Sequence, residues 1–75
     1  SALVSSNDGL DDLKKIIRES SNYLKNNGWL VVEHAYDQGA KVRKLFLENK
    51  FTSKTIKDYN KLERITFGRL LKKNG

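Results

Sequence analysis

The chain has 75 residues, with 15 lysine or arginine against nine aspartate or glutamate, for a formal net charge of +6. It contains no cysteine, which excludes disulfides and thiolate metal cages, and its one histidine, His34, cannot build a histidine cage. A chain this short buries only roughly 60% of the surface its unfolded form exposes, so its core is expected to continue into further protein.

The lack of cysteine fits a reducing compartment. The N-terminus shows neither a basic nor an apolar leader region. The longest apolar run is Trp29-Leu30-Val31-Val32, far short of the roughly 20 residues a membrane-spanning helix needs. A soluble, cytoplasmic protein without membrane contact is expected. The positive charge raises the question of nucleic acid. Lys14, Lys15, Arg18, Lys41, Arg43, Lys44, Lys72 and Lys73 are spread along the chain, with Asp11, Asp12, Glu19, Glu48 and Glu63 among them. A solvated, lysine-rich surface is the favoured reading.

Residues Ser1 to Asn7 read as a connecting segment. Asn7 or Asp8 is suited to cap a helix, and Asp11 and Asp12 sit where the helix dipole favours acids. Leu10, Leu13, Ile16, Ile17 and Leu24 then recur at helical spacing, with Ser20 and Tyr23 continuing the stripe. Asn26-Asn27-Gly28 ends this helix, with Gly28 expected in the left-handed cap position. Trp29 to Val32 reads as a strand covered on both faces, as in a parallel sheet. A loop over His34 to Gln38 leads to a second helix, from about Gln38 to Asn49, that buries Val42, Leu45 and Phe46.

Phe51 to Lys57 is rich in β-branched residues and predicts a second strand. Asp58 to Glu63 makes a polar turn, and Arg64 to Leu71 returns as a third strand. The expected order is helix, strand, helix, strand, strand. Two parallel strands joined by a helix gain one antiparallel strand from the closing hairpin. This is the end of an α/β sheet that ought to have neighbours beside its first strand.

Three stretches together carry a resemblance. Ser1-Ala2-Leu3 with Gly9-Leu10 is one. Asn27-Gly28-Trp29-Leu30-Val31-Val32-Glu33-His34 with Gln38-Gly39 and Val42-Arg43 is the second. Asp58-Tyr59 with Glu63-Arg64-Ile65-Thr66-Phe67-Gly68-Arg69 is the third, with Thr66 departing mildly from an otherwise apolar run. In order and at this spacing they resemble the C-terminal part of the HemK-type release-factor glutamine methyltransferases, over essentially all 75 residues.

The resemblance implies a class I, Rossmann-like methyltransferase sheet whose last strand is antiparallel and lies between the fifth and sixth. It also implies S-adenosylmethionine as methyl donor and class I peptide chain release factors as partners. The acceptor is the glutamine amide of their Gly-Gly-Gln motif. The family's Asn-Pro-Pro-Tyr loop and glycine-rich cofactor loop are not in this chain, which has no proline and no Gly-x-Gly pattern. By the resemblance both lie upstream of Ser1, in a missing N-terminal part of the same catalytic domain. The chain alone is expected to be inactive.

Ligands of open α/β sheets bind beyond the carboxyl ends of the parallel strands, which directs attention to Glu33, His34, Ala35, Tyr36 and Asp37. Glu33, His34 and Tyr36 are the candidate lining of a substrate pocket. The plainer reading has Glu33 binding nearby backbone amides and His34 as an ordinary loop residue. Gln38 is expected to cap the second helix, and Arg64 to pair with Asp58 or Glu63. Trp29, Phe46, Phe51 and Phe67 are expected in the core, and Gly68 at a close backbone approach or a bulge. No residue is assigned catalysis, cofactor binding or a metal. Two alternatives remain: a small basic α/β module binding RNA, or a related methyltransferase acting on another protein or on nucleic acid.

Overall fold

The computed structural model describes residues 2–5 and 9–72. Its elements are β1 (Ala2–Ser5), α1 (Leu10–Tyr23), β2 (Trp29–Glu33), α2 (Gly39–Glu48), β3 (Lys54–Lys57) and β4 (Glu63–Arg69). They form one four-stranded sheet in the order β1-β2-β4-β3. β4 is antiparallel to both of its neighbours, so β2 and β3 run parallel with the last strand inserted between them. That is the arrangement the resemblance implies.

β1 corrects the reading of the first residues as a connection. Ala2 to Ser5 pair in parallel register with Leu30 to Glu33, so β1-α1-β2 is itself a strand–helix–strand unit. The segment supplies a neighbour to β2 on the side away from β4.

α1 opens after Gly9, whose φ of +106° is one that residues with side chains rarely adopt. The caps expected at Asn7 or Asp8 lie outside the described residues. Asp11 and Asp12 occupy the first turn. Leu13 and Ile17 are fully buried, and Leu10 and Leu24 pack against the same cluster. Tyr23, by contrast, is 83% exposed. It lies six residues beyond Ile17, and at about 3.6 residues per turn that rotates it off the buried face.

The turn after α1 also differs from expectation. Asn27, not Gly28, takes the left-handed conformation, with φ 68°. Asparagine tolerates that region because its short polar side chain bonds locally. Gly28 instead donates its N–H to the Lys25 carbonyl at 2.8 Å.

β2 alternates along its length. Leu30 and Val32 are buried under the helices, Trp29 and Glu33 are exposed, and Val31 is half-buried. One face of the strand is therefore covered within the chain and the other is not. Trp29 stands on the open face, 42% exposed, its ring 5.9 Å from that of Phe67 and also 5.9 Å from the Arg69 guanidinium. The expectation that all four large aromatics are core holds for Phe46 and Phe51, whose rings lie 5.4 Å apart within the buried cluster. Trp29 and Phe67 belong to the other face.

Gly68 shows why a strand carries a glycine here. A Cβ at that position would run into the Thr52 carbonyl and lie 2.9 Å from the Phe46 ring. Thr52 is held in place from two sides. Its N–H donates to the Arg69 carbonyl at 2.9 Å, and its hydroxyl accepts the Arg69 N–H at 2.8 Å. The close approach anticipated from the residue type is thus a contact between β4 and the segment following α2. Among the described residues, no helix is long and apolar enough to cross a membrane.

Candidate functional site

β1 and β2 run parallel, so their carboxyl ends, Ser5 and Glu33, lie side by side. The chain leaves β2 there through His34, Ala35, Tyr36, Asp37 and Gln38 before α2 begins. Glu33 at the strand end, with His34 and Tyr36 in this loop, are the expected pocket residues, and the structure treats them differently. Glu33 and Tyr36 are exposed, Tyr36 at 57%. His34 is only 4% exposed.

Both ring nitrogens of His34 are engaged. Nε2 is 2.8 Å from the Thr66 hydroxyl and Nδ1 is 2.9 Å from the Ala35 carbonyl. The Thr66 hydroxyl is 2.7 Å from that of Thr55, which accepts a hydrogen bond from the Arg43 guanidinium at 2.8 Å. Arg43 in turn pairs with Glu63 at 3.1 Å. The connected groups come from β4, β3, α2 and the loop after β2. His34 is therefore not a solvent-facing loop residue, and both of its ring nitrogens are bonded within the chain.

Thr66 explains its departure from the apolar run. It is fully buried, and a buried hydroxyl without partners is costly, about 1–3 kcal/mol. Here it has two. Among the described residues, no buried side-chain polar atom lacks a hydrogen bond.

The loop closes on itself as well. The Ala35 carbonyl also accepts the Gln38 N–H at 3.0 Å, while the Gln38 side-chain oxygen accepts the Ala35 N–H at 3.1 Å. Gln38 stands at the start of α2 but makes no side-chain bond into the helix. Its capping role is replaced by one in the loop, because the Ala35 N–H lies within reach and points at it.

On the rim, the Arg64 guanidinium lies 5.9 Å from the Tyr36 ring centroid, within cation–π range. Arg64 Nε donates to Asp58 Oδ2 at 3.0 Å, so Asp58 is the partner rather than Glu63. Asp58 Oδ1 accepts the N–H groups of Asn60 at 2.8 Å and Leu62 at 3.0 Å. The Leu62 N–H above all holds the Asp58 carboxyl below its ordinary value of 3.8; burial opposes it next in size, and Arg64 and Asn60 add to the lowering.

A carboxyl depressed on folding contributes stability that is present above its ordinary range and lost as pH falls through its lowered one. An Asp58→Ala variant is therefore expected to be less stable than the parent at neutral pH. The difference should shrink as pH drops below 3.8. Urea titrations of both proteins at several pH values check this.

Three lysines, Lys14, Lys41 and Lys44, meet at a groove between α1 and α2, a partial gathering that the scattered sequence positions did not suggest. Asp11 and Glu48 line the same groove, so its charge is mixed, unlike the uniform cationic track of a nucleic-acid interface. Among the described residues no group of three or more histidines, cysteines or acids comes together to hold a metal. The sequence itself has no Gly-x-Gly pattern.

The sheet order, with an antiparallel last strand inserted beside the parallel ones, defines a portion of a class I methyltransferase fold. A solved structure, the release factor-specific protein-(glutamine-N5) methyltransferase from Alicyclobacillus acidocaldarius, superposes with a TM-score of 0.57 over 91% of this chain and 46% of that one. The two are 14% identical, so this likeness concerns the fold. Sequence narrows the class: the chain is homologous to the release factor glutamine methyltransferases over nearly all of its length. Those of Pseudomonas aeruginosa and Haemophilus influenzae are each 46% identical over 69 residues, 91% of this chain. The chain spans about a quarter of the length of the curated relatives it matches, 25% and 24% for these two. No protein-family model matches it.

Proposed function

We propose that the chain is the C-terminal part of a release factor glutamine methyltransferase catalytic domain. The whole enzyme transfers a methyl group from S-adenosylmethionine to the glutamine amide of the Gly-Gly-Gln motif in class I release factors, in the cytoplasm. The observation that carries this reading is the 46% identity to two such enzymes over 69 residues. The order β2-β4-β3 supports it independently.

The chain has no Gly-x-Gly pattern, so on this reading cofactor binding is assigned to the upstream part and no step of the reaction to the residues here. Their contribution is the sheet edge, its covering helices and one wall of the substrate pocket, with Glu33 and Tyr36 exposed on that wall. Positioning of the acceptor is the service such a wall supplies, and misplacement by even about 1 Å is costly in catalysis. The motifs for cofactor and catalysis belong to the upstream part.

Calorimetric titration of S-adenosylmethionine tests the division of labour. The chain alone is expected to give no binding heat, and the chain mixed with the upstream part of a curated relative is expected to bind. Saturable binding by the chain alone contradicts the proposal.

A further inference from the structure

The hydrogen-bonded series from Arg43 to Ala35 has a direction set by its two ends. A guanidinium only donates, and a carbonyl only accepts. Arg43 donates to the Thr55 hydroxyl, so the Thr55 proton is left to bond the Thr66 oxygen. Thr66 then donates its own proton to His34 Nε2, which must accept. Nδ1 carries the ring proton and donates it to the Ala35 carbonyl. The Ala35 end decides the direction in the neutral ring, because the reverse order would leave a bare Nδ1 facing a carbonyl oxygen.

We propose that Thr55 and Thr66 are positioning residues for the pocket wall. Through the bond that Thr66 donates to Nε2 they hold the His34 ring in the orientation whose Nδ1–H bonds the Ala35 carbonyl, and with it the short loop that presents Tyr36 next to Glu33. This rests on the methyltransferase reading for what the wall receives. The observations that support it are geometric: His34 and Thr66 are 4% and 0% exposed, their bond joins residues 32 apart in the chain, and the loop's only buried side chain is that of His34.

The test uses three variants in the protein assembled with the upstream part of a curated relative. Nitrogen NMR reads the His34 tautomer, and methylation kinetics separate KM for the release factor from kcat. Thr66→Val should keep the ring proton on Nδ1, shift the Nε2 resonance to that of an acceptor without a donor, and raise KM about fivefold or more, the equivalent of losing one buried hydrogen-bond partner, with kcat within about twofold. Thr66→Ser, which restores the hydroxyl, should recover both readouts. Thr55→Val keeps shape at a half-buried position and removes the donor to the Thr66 oxygen. It should shift the Nε2 resonance part of the way even if the Thr66 variant does not fold.

An Nε2 resonance that neither variant moves, or a ring proton found on Nε2 in the parent, overturns the directed series. A shifted Nε2 resonance with unchanged KM overturns the positioning role while leaving the methyltransferase reading intact. An assembled parent protein that methylates nothing removes that reading, and the positioning role with it.

Discussion

Phe46→Ala is expected to destabilise the protein by about 3–5 kcal/mol, the usual cost of emptying a buried phenylalanine site. Phe46 is fully buried, its ring lies 5.4 Å from that of Phe51, and it faces Gly68 across the α2–β4 contact. Three elements lose a common neighbour at once: α2, β4 and the segment that leads to β3. A small domain holds on the order of 5–15 kcal/mol in total, so this one change removes a large share of it. In a domain of this size the melting temperature should fall by more than about 10 °C. A shift of only a degree or two would mean that the ring is not the centre of the core.

Gly68→Ala is the second change of large effect, and it acts by insertion rather than removal. The added methyl meets the carbonyl of Thr52, a residue whose N–H and hydroxyl are both bonded to Arg69, and the Phe46 ring beyond it. A flexible side chain could step aside, but this backbone cannot without breaking two hydrogen bonds. Overpacking of a tight core costs about 1–3 kcal/mol, and the upper end or beyond is expected here. Hydrogen exchange at the Thr52 and Arg69 amides should accelerate together in the variant. Unchanged exchange and an unchanged melting temperature would show that Thr52 yields.

The elements visible in the sequence are those whose own residues declare them. α1 and α2 follow from apolar spacing, β2 from a short apolar run after a helix end, and the hairpin from β-branched residues around a polar turn. β1 was not visible. Ala2 to Ser5 is too short to show a period, and what makes it a strand is pairing with Leu30 to Glu33, more than twenty residues away. The open face of β2 escaped for a similar reason: an apolar run states that its residues avoid water, not which part of the protein covers them. Trp29 and Val31 read as doubly buried, and the chain itself covers only the other side.

The candidate site was legible as a place but not as an arrangement. Glu33, His34 and Tyr36 fall at the carboxyl end of β2, where the parallel-sheet rule directed attention. Inspection of His34 alone suggested an ordinary loop residue, because its partner Thr66 lies on another strand. The one available signal was Thr66 itself, a hydroxyl in a run otherwise apolar, which needed a buried partner. Thr55 and Arg43 complete the connection only after β3, β4 and α2 are assembled. Local propensity carries no information about such a series.

The most direct measurement of the central proposal is methyl transfer from labelled S-adenosylmethionine to a Gly-Gly-Gln release-factor peptide. The chain, the upstream part of a curated relative and their mixture are assayed side by side. The expected result is transfer by the mixture alone, lost when the glutamine of the peptide is replaced. A mixture that assembles yet transfers nothing to that glutamine contradicts the proposed function.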